Sequence, residues 1–451
     1  MKKFLFTTLI SNDLGLLTRS LPIARELQER GHQVAFCNPA RAPSKLISDA
    51  GFENLRPKWP LYYIISGDMG VGYSRLFRSG HLKRNLGILV SAVMHMKRFS
   101  TAEFWNLDHF MWFMGMWNEN FVRADVNDLM ELIDEYNPDA VVDFWNVSAC
   151  IAARACHKPL ITVIQADVHP QSQGFIWWKE HPHDIPTPVP SINKILAELK
   201  LNPISKTGEL LIGDITMVVG MPETDPLPET ANVTYIGPVL WQRSDAKLPD
   251  WVAGLNTMKP VVWVYPGNPQ YAHGNRMPAD SAVVTHACIE ALKDKELQVV
   301  LTTGHHSLPR ETLPLPANFR HASFVPGLAM AERSDLLIHH GGYGSCQTGL
   351  FTGTPALVIP TYSERESNAR RIAAVGAGDF VLPTADATGT KKQVKATEVS
   401  DKVDHILSDS SYKENSRRIS EKLRSYGGAS YAASLIEELV HGLDKIETKN
   451  I

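Results

Sequence analysis

The stretch His339-His340-Gly341-Gly342-Tyr343-Gly344-Ser345 brings together residue types that hold an anion. An apolar run, Leu336 to Ile338, precedes it and reads as a buried strand. Ser345 to Phe351 has helical length, and Ala356 to Ile359 reads as the next strand. Glycines between a strand and a helix let the backbone approach a ligand. The helix start adds N–H groups and a positive dipole end, and Ser345 adds a hydroxyl. A dinucleotide fingerprint requires G-x-G-x-x-G directly after the strand and an acid about 20 residues on. Neither is present, so the pattern predicts a diphosphate site and argues against NAD.

Alternating strands and helices must position such a site. Phe4 to Ile10 reads as a strand, Asn12-Asp13-Leu14-Gly15 as a turn, and Leu17, Leu21, Ala24 and Leu27 as a helix face that ends at Gly31. Val34 to Cys37 follows as a strand, and the rhythm returns in Ala140 to Asp143, Val147 to Ala155 and Leu160 to Ile164. Such strand–helix–strand units build a doubly wound parallel sheet. A polar, proline-flanked stretch from Gln242 to Pro249 reads as a linker. Beyond it the alternation restarts with Val261 to Tyr265, a helix over 280–292 and Val299 to Thr303. The expectation is an α/β chain with two Rossmann-like domains, residues 1–238 and 251–425, joined by a linker over 239–250. A last helix within 426–451 would return to the first domain. Two doubly wound domains would place a ligand cleft at the carboxyl ends of both sets of strands.

At 451 residues the chain is long enough for two cores. A net charge of −3 gives no electrostatic reason to expect nucleic acid or an anionic membrane as a partner. Five scattered cysteines without a C-x-x-C pair fit a reducing compartment and argue against a zinc site. The run after Met1-Lys2-Lys3 is short and interrupted by Asn12-Asp13, so it reads as a strand rather than a signal peptide. No apolar stretch reaches spanning length. A cytoplasmic protein is predicted. The segment Phe104 to Trp117 is dense in aromatics and methionines. It reads equally as buried core and as the wall of a pocket for a large apolar molecule, with Trp105, His109, Trp112 and Phe113 as acceptor-binding candidates.

Several further markers stand in order along nearly the whole chain: Arg30-Gly31-His32, Tyr235-Ile236-Gly237-Pro238, Val325-Pro326, the His-Gly-Gly stretch, Gly353-Thr354-Pro355, Asn368-Ala369-Arg370-Arg371 and Tyr426-Gly427-Gly428-Ala429. Together they resemble the UDP-glycosyltransferase family, inverting and metal-independent enzymes of GT-B fold that glycosylate small molecules. The resemblance implies no cofactor beyond a nucleotide diphosphate sugar as co-substrate. It implies that His340 contacts the diphosphate, with Gly342, Gly344 and Ser345 as further donors. It places the base at the turn Phe324-Val325-Pro326-Gly327, the sugar hydroxyls at Glu364 and Arg365, and the phosphates beside Tyr265, Gly267 and Asn268.

The chain departs from that family's pattern at three positions. The general base of the family is a His after Gly at the first turn, where this chain has Gly15-Leu16. Asp13, at the same strand end, is the replacement base candidate; a turn or helix-cap role is its alternative. Thr348 stands where an acid often grips the ribose, which leaves UDP and dTDP both open. Glu364-Arg365 replaces Asp-Gln, and the arginine either suits an acidic sugar or pairs with Glu366. Asp143 resembles the aspartate that orients the family's catalytic His, and it is carried as a second catalytic candidate. His109 and His169 are further possible bases. The expected function is transfer of a hexose from a UDP- or dTDP-sugar to a lipophilic small molecule. A non-catalytic nucleotide-sugar or lipophile-binding protein is the alternative, with a sugar-nucleotide epimerase third.

Overall fold

The computed structural model describes residues 1–11, 14–56, 103–242, 246–267, 281–304, 307–308, 310–385 and 392–447. The chain forms two compact units, Met1–Val239 with Gly427–Ile451, and Leu240–Tyr426.

The first unit is built on a seven-stranded parallel sheet: β1 (Lys3–Thr8), β2 (Gln33–Cys37), β3 (Glu53–Asn54), β4 (Ala140–Phe144), β5 (Leu160–Ile164), β6 (Ile215–Val219) and β7 (Thr234–Gly237). Their spatial order is β3-β2-β1-β4-β5-β6-β7. The central strands are apolar on both faces because helices cover both sides, as parallel sheets require. Phe6 stacks between Phe36 at 5.3 Å and Phe144 at 6.2 Å, knitting β2, β1 and β4. Burying each such ring stabilises the unit by about 1.5–3 kcal/mol. The strand order reverses between β1 and β4, which pair with Thr7 opposite Asp143. β1 ends at Thr8 rather than Ile10, and the next amide, Leu9 N–H, donates to the Phe144 carbonyl at 2.8 Å.

Helix α1 (Gly15–Glu29) follows β1. The last helix of the chain, Gly428–Glu447, packs beside it and belongs to the first unit. Glu437 accepts from Arg30 at 2.8 Å and lies 2.7 Å from His32 Nε2, while Ala432, Ala433, Ile436 and Val440 are buried. The aromatic and methionine-rich segment forms a short helix, α2 (Leu107–Met111), and then a π-helical turn over Trp112–Met116. Gly115, at φ 97°, interrupts that turn, a conformation an L side chain resists. Helix α3 (Val147–Ala155) connects β4 to β5.

The second unit repeats the design with six parallel strands: β8 (Val261–Tyr265), β9 (Gln298–Thr302), β10 (Phe319–Ala322), β11 (Leu336–His339), β12 (Ala356–Val358) and β13 (Gly378–Phe380). Their order is β10-β9-β8-β11-β12-β13, so the reversal falls between β8 and β11. Helix α4 (Tyr343–Thr352) follows β11, and α5 (Ser363–Ala374) follows β12. Gly353, left-handed at φ 70°, closes α4. Among the described residues no helix is long and apolar enough to cross a membrane.

Candidate functional site

The reversal point of the second unit is shaped around one imidazole. His339 ends β11 opposite Tyr265, and His340 opens the loop that follows. A Cβ on Gly267 would stand 2.8 Å from the His340 ring, and one on Gly342 would stand 2.5 Å from its Nε2. The ring therefore lies between two glycines from two strand-end loops, and Tyr265 meets it edge-on at 5.5 Å. Gly341, at φ 87°, has the Arg365 carbonyl oxygen 2.8 Å from where its Cβ would be. Gly344, in the first turn of α4, faces open space. The three glycines Gly267, Gly341 and Gly342 thus admit close packing around His340. The opening lies at Gly344, at the start of the helix, where the Ser345 and Cys346 N–H groups already donate to the Gly342 carbonyl at 3.0 and 3.1 Å.

The electrostatics of this pocket are those of neutral donors beside one cation. Burial chiefly holds His340 well below the ordinary histidine range. The Arg365 and His339 charges add to that shift, while the Tyr265 backbone opposes it. His340 Nδ1 is buried without a well-formed hydrogen bond. His339 is pushed down to about 3 by burial and by Arg365, and its Nδ1 accepts from the Gly341 N–H at 3.1 Å. Arg365 lies over the Tyr362 ring at 4.3 Å and donates to Thr361 Oγ1. It does not pair with Glu366, which takes Arg370 at 2.7 Å instead. Among the described residues no carboxylate lies within ion-pair reach of Arg365.

The other donor-site candidates fall around this centre. Ser345 and Thr348 lie on α4, where the Thr348 hydroxyl donates back to the Gly344 carbonyl at 2.9 Å. Val325 is buried in the turn before the helix Gly327–Glu332. Beneath that turn, Trp263 lies 3.6 Å from where a Gly327 Cβ would be, and its indole donates to Thr302 at 2.9 Å. Glu364 accepts from Asn368 at 3.1 Å, and the same amide donates to the Gly341 carbonyl at 2.9 Å. Asn368 and His339 therefore brace the glycine turn, a role the residue pattern alone did not assign. The i, i+4 spacing of Glu364 and Asn368 was the available signal for it. Asn268 lies outside the described residues.

The first unit's reversal point is closed on itself. Asp143 is fully buried, and its carboxylate accepts from Thr7 Oγ1 at 2.5 Å, from the Asn146 N–H at 3.0 Å and from Cys150 Sγ at 3.2 Å. Burial raises its pKa to about 7 against the pull of these donors. Its oxygens tie β1 to the start of α3, so its geometry is that of a brace rather than of a group touching an acceptor. Trp145, next but one, is held at φ 67°, an outlying conformation for a bulky residue. Leu16 packs half-buried against the apolar core. Asp13 lies outside the described residues.

Comparison with known proteins identifies this architecture. Residues 286–438 match the family model described as Erythromycin biosynthesis protein CIII-like, C-terminal domain. The uncharacterized UDP-glucosyltransferase YojK of Bacillus subtilis (strain 168) is 27% identical over 230 residues, 51% of this chain. That match spans 52% of YojK, about half its length. The PGL/p-HBAD biosynthesis glycosyltransferase of Mycobacterium tuberculosis (strain ATCC 25177 / H37Ra) is 26% identical over 335 residues, 68% of this chain and 71% of that protein. The solved structure of the spinosyn forosaminyltransferase SpnP superposes with a TM-score of 0.67 at 19% identity, over 98% of this chain and 99% of that one. In sequence the chain is similar to UDP-glycosyltransferases over part of its length. Its fold is GT-B.

The four acceptor candidates fall on more than one set of neighbours. His109 is buried, its Nδ1 without a hydrogen bond and its pKa lowered by burial. Phe113 meets Phe104 at 5.1 Å, and Trp105 meets His181 at 5.3 Å. Trp112 is half-buried in the π-helical turn. The cavity at the ends of β1 and β4 is lined instead by Leu9, Ile10, Met111, Met114 and Met116, and measures only about 40 Å³. That volume holds water rather than a large acceptor. Much of the segment is therefore core, and its methionines, not the four named side chains, face the strand ends.

Proposed function

We propose that this chain is a glycosyltransferase that moves a hexose from a UDP- or dTDP-sugar to a small-molecule acceptor with inversion. The observation that carries the reading is the donor centre: a neutral, buried His340 fitted between Gly267 and Gly342, beside the open turn at Gly344 and the Arg365 guanidinium. As the glycosidic bond breaks, the departing diphosphate gains charge. Fixed N–H donors at a helix start and a nearby cation stabilise that charge without needing to reorganise. These groups suffice for a metal-independent route. The acceptor hydroxyl attacks the anomeric carbon as the bond to the diphosphate oxygen breaks, and its proton passes to a base on the first unit. Asp13 is our proposed base, since Leu16 has no titratable group and Asp143 is engaged internally. Arg365 suits a donor carrying negative charge near the sugar.

A screen of nucleotide sugars against lipophilic acceptors, read by mass spectrometry, tests this reading. A glycosylated product is expected, and Asp13→Ala should lose most transfer while still binding UDP or dTDP. Unchanged turnover in Asp13→Ala removes Asp13 from the mechanism. One observation favours a second reading, a binding protein without turnover: Leu16, half-buried against the apolar core, stands where the resembled family has its base. Nucleotide binding by calorimetry, with no product across the whole screen, selects it.

A further inference from the structure

The first unit holds a cavity of about 430 Å³, well separated in character from the methionine-lined one and within the size range of small-molecule sites. It is formed by the start of α2, the segment after β5 and residues 206–208. Its walls are built closely. A Cβ on Gly174 would stand 2.6 Å from the Trp105 carbonyl oxygen, and one on Gly208 would stand 2.6 Å from that of Val168. Thr207 N–H donates to Asp108 at 2.7 Å, Lys206 to the Pro170 carbonyl at 2.7 Å, and Ser172 to the Asp167 carbonyl at 2.7 Å. The loop is thus fixed by its own polar contacts, and the space inside is not the product of loose packing.

The lining is polar and balanced. Its charged residues are the carboxylates of Asp108 and Asp167 and the ammoniums of Lys179 and Lys206, equal in number and opposite in sign. Such a set selects neither an anion nor a cation. The two histidines supply one donor and one acceptor. His169 Nδ1 accepts from the Gln171 N–H at 3.2 Å, so the neutral ring carries its proton on Nε2. His181 Nε2 lies 3.2 Å from the Ile176 carbonyl oxygen and donates to it, which leaves Nδ1 as an acceptor. Trp177 adds an aromatic surface, whose electron-rich face attracts the C–H bonds of a saturated ring. An apolar skeleton would strand these donors and acceptors, at about 1–3 kcal/mol for each buried group left unpaired.

The geometry points to a pyranoside as the occupant of this cavity: a ring with hydroxyls that donate and accept around its edge and C–H groups on its face. The site lies in the first unit and is distinct from the donor centre of the second. If the chain is the transferase proposed above, on which only this clause rests, its acceptor already carries a sugar.

The test is binding, not turnover, so it stands apart from the fate of the transferase reading. Full-length protein is titrated with methyl glucopyranoside, methyl rhamnopyranoside, inorganic phosphate and acetate, followed by saturation-transfer NMR. The expected result is saturation of at least one glycoside, persisting in excess UDP. The signal should weaken at least tenfold in Trp177→Ala and in His181→Ala. Melting temperature reports whether each variant is folded, and exposed Gln173→Ala serves as a third variant if either is not. Absence of glycoside binding, binding of phosphate or acetate alone, displacement by UDP, or a signal indifferent to the folded variants each overturns the assignment.

Discussion

The two units carry the same strand order around their reversal points, β2-β1-β4-β5 in one and β9-β8-β11-β12 in the other, yet they treat the polar groups there in opposite ways. At the first, Thr7, Asn146 and Cys150 all converge on Asp143, and the network is saturated by the protein itself. At the second, Arg365 Nε is buried without a hydrogen bond and His340 Nδ1 without a well-formed one, beside a helix start that opens at Gly344. Unsatisfied buried polar groups cost stability and are kept where something else completes them. A shared topology therefore supplies a position for a site, and the local residues decide whether it becomes a brace or a receptor.

The largest test of this contrast is at the second reversal point. Gly342→Ala places a methyl 2.5 Å from His340 Nε2 and forces the ring away. Affinity for UDP or dTDP, measured by calorimetry, should fall by about 10- to 100-fold, the worth of one or two charge-assisted hydrogen bonds. The unfolding midpoint of the first unit should not move. The converse substitution, Asp143→Ala, leaves buried donors without an acceptor and should cost the first unit about 2–4 kcal/mol in urea unfolding. Nucleotide affinity should then stay within about twofold; a large loss of affinity with stability intact would make Asp143 a site residue and erase the distinction.

A subtler consequence concerns pH. The Asp143 carboxyl sits at about 7 when folded, above its unfolded value near 4. Its contribution is complete below pH ~4 and is lost as pH rises through 7. His339 is lowered to about 3 from an unfolded value near 6.5. Its contribution is complete above pH ~6.5 and is lost as pH falls through 3. Unfolding followed from pH 4 to pH 8 should show the second unit weakening toward pH 4, while the first, where Asp143 opposes the lowered His109 and His169, weakens less in that direction. Equal weakening in both would contradict the contrast. The smallest effect is expected at Glu437→Gln, which removes the carboxylate shared by Arg30 and His32. These side chains are partly exposed, so the first unit should lose about 1 kcal/mol or less, and the second nothing.

Much of the architecture was legible because buried parallel strands read as continuous apolar runs. Val261–Tyr265, Leu160–Ile164 and the helix Val147–Ala155 stand at the bounds their residues suggested. The strand, glycine turn and helix start of the His-Gly-Gly stretch were also visible, since they need only local types and order. What the pattern could not carry was proximity across the chain. That Gly267 and Gly342 both make room for one imidazole depends on loops more than 70 residues apart meeting at adjacent strand ends. Nor could an aromatic-rich run reveal that Gly115 would twist it into a π-helical turn, with His109 and Phe113 both on Phe104 and Trp105 on His181. Asp143 shows the same limit: a polar residue at a strand end reads as chemistry until its burial and its donors are seen.

The placement of the last helix bears on how the protein is made. The first unit is interrupted after Val239 and resumes only at Gly427. A ribosome synthesises the entire second unit before it reaches Glu437, the partner of Arg30 and His32. The second unit is a single uninterrupted stretch and has every strand it needs at that moment. The first must wait, its α1 surface uncovered, for the final residues to arrive. Order of synthesis and order of completion are thus reversed: the half that begins the chain is the half that finishes last.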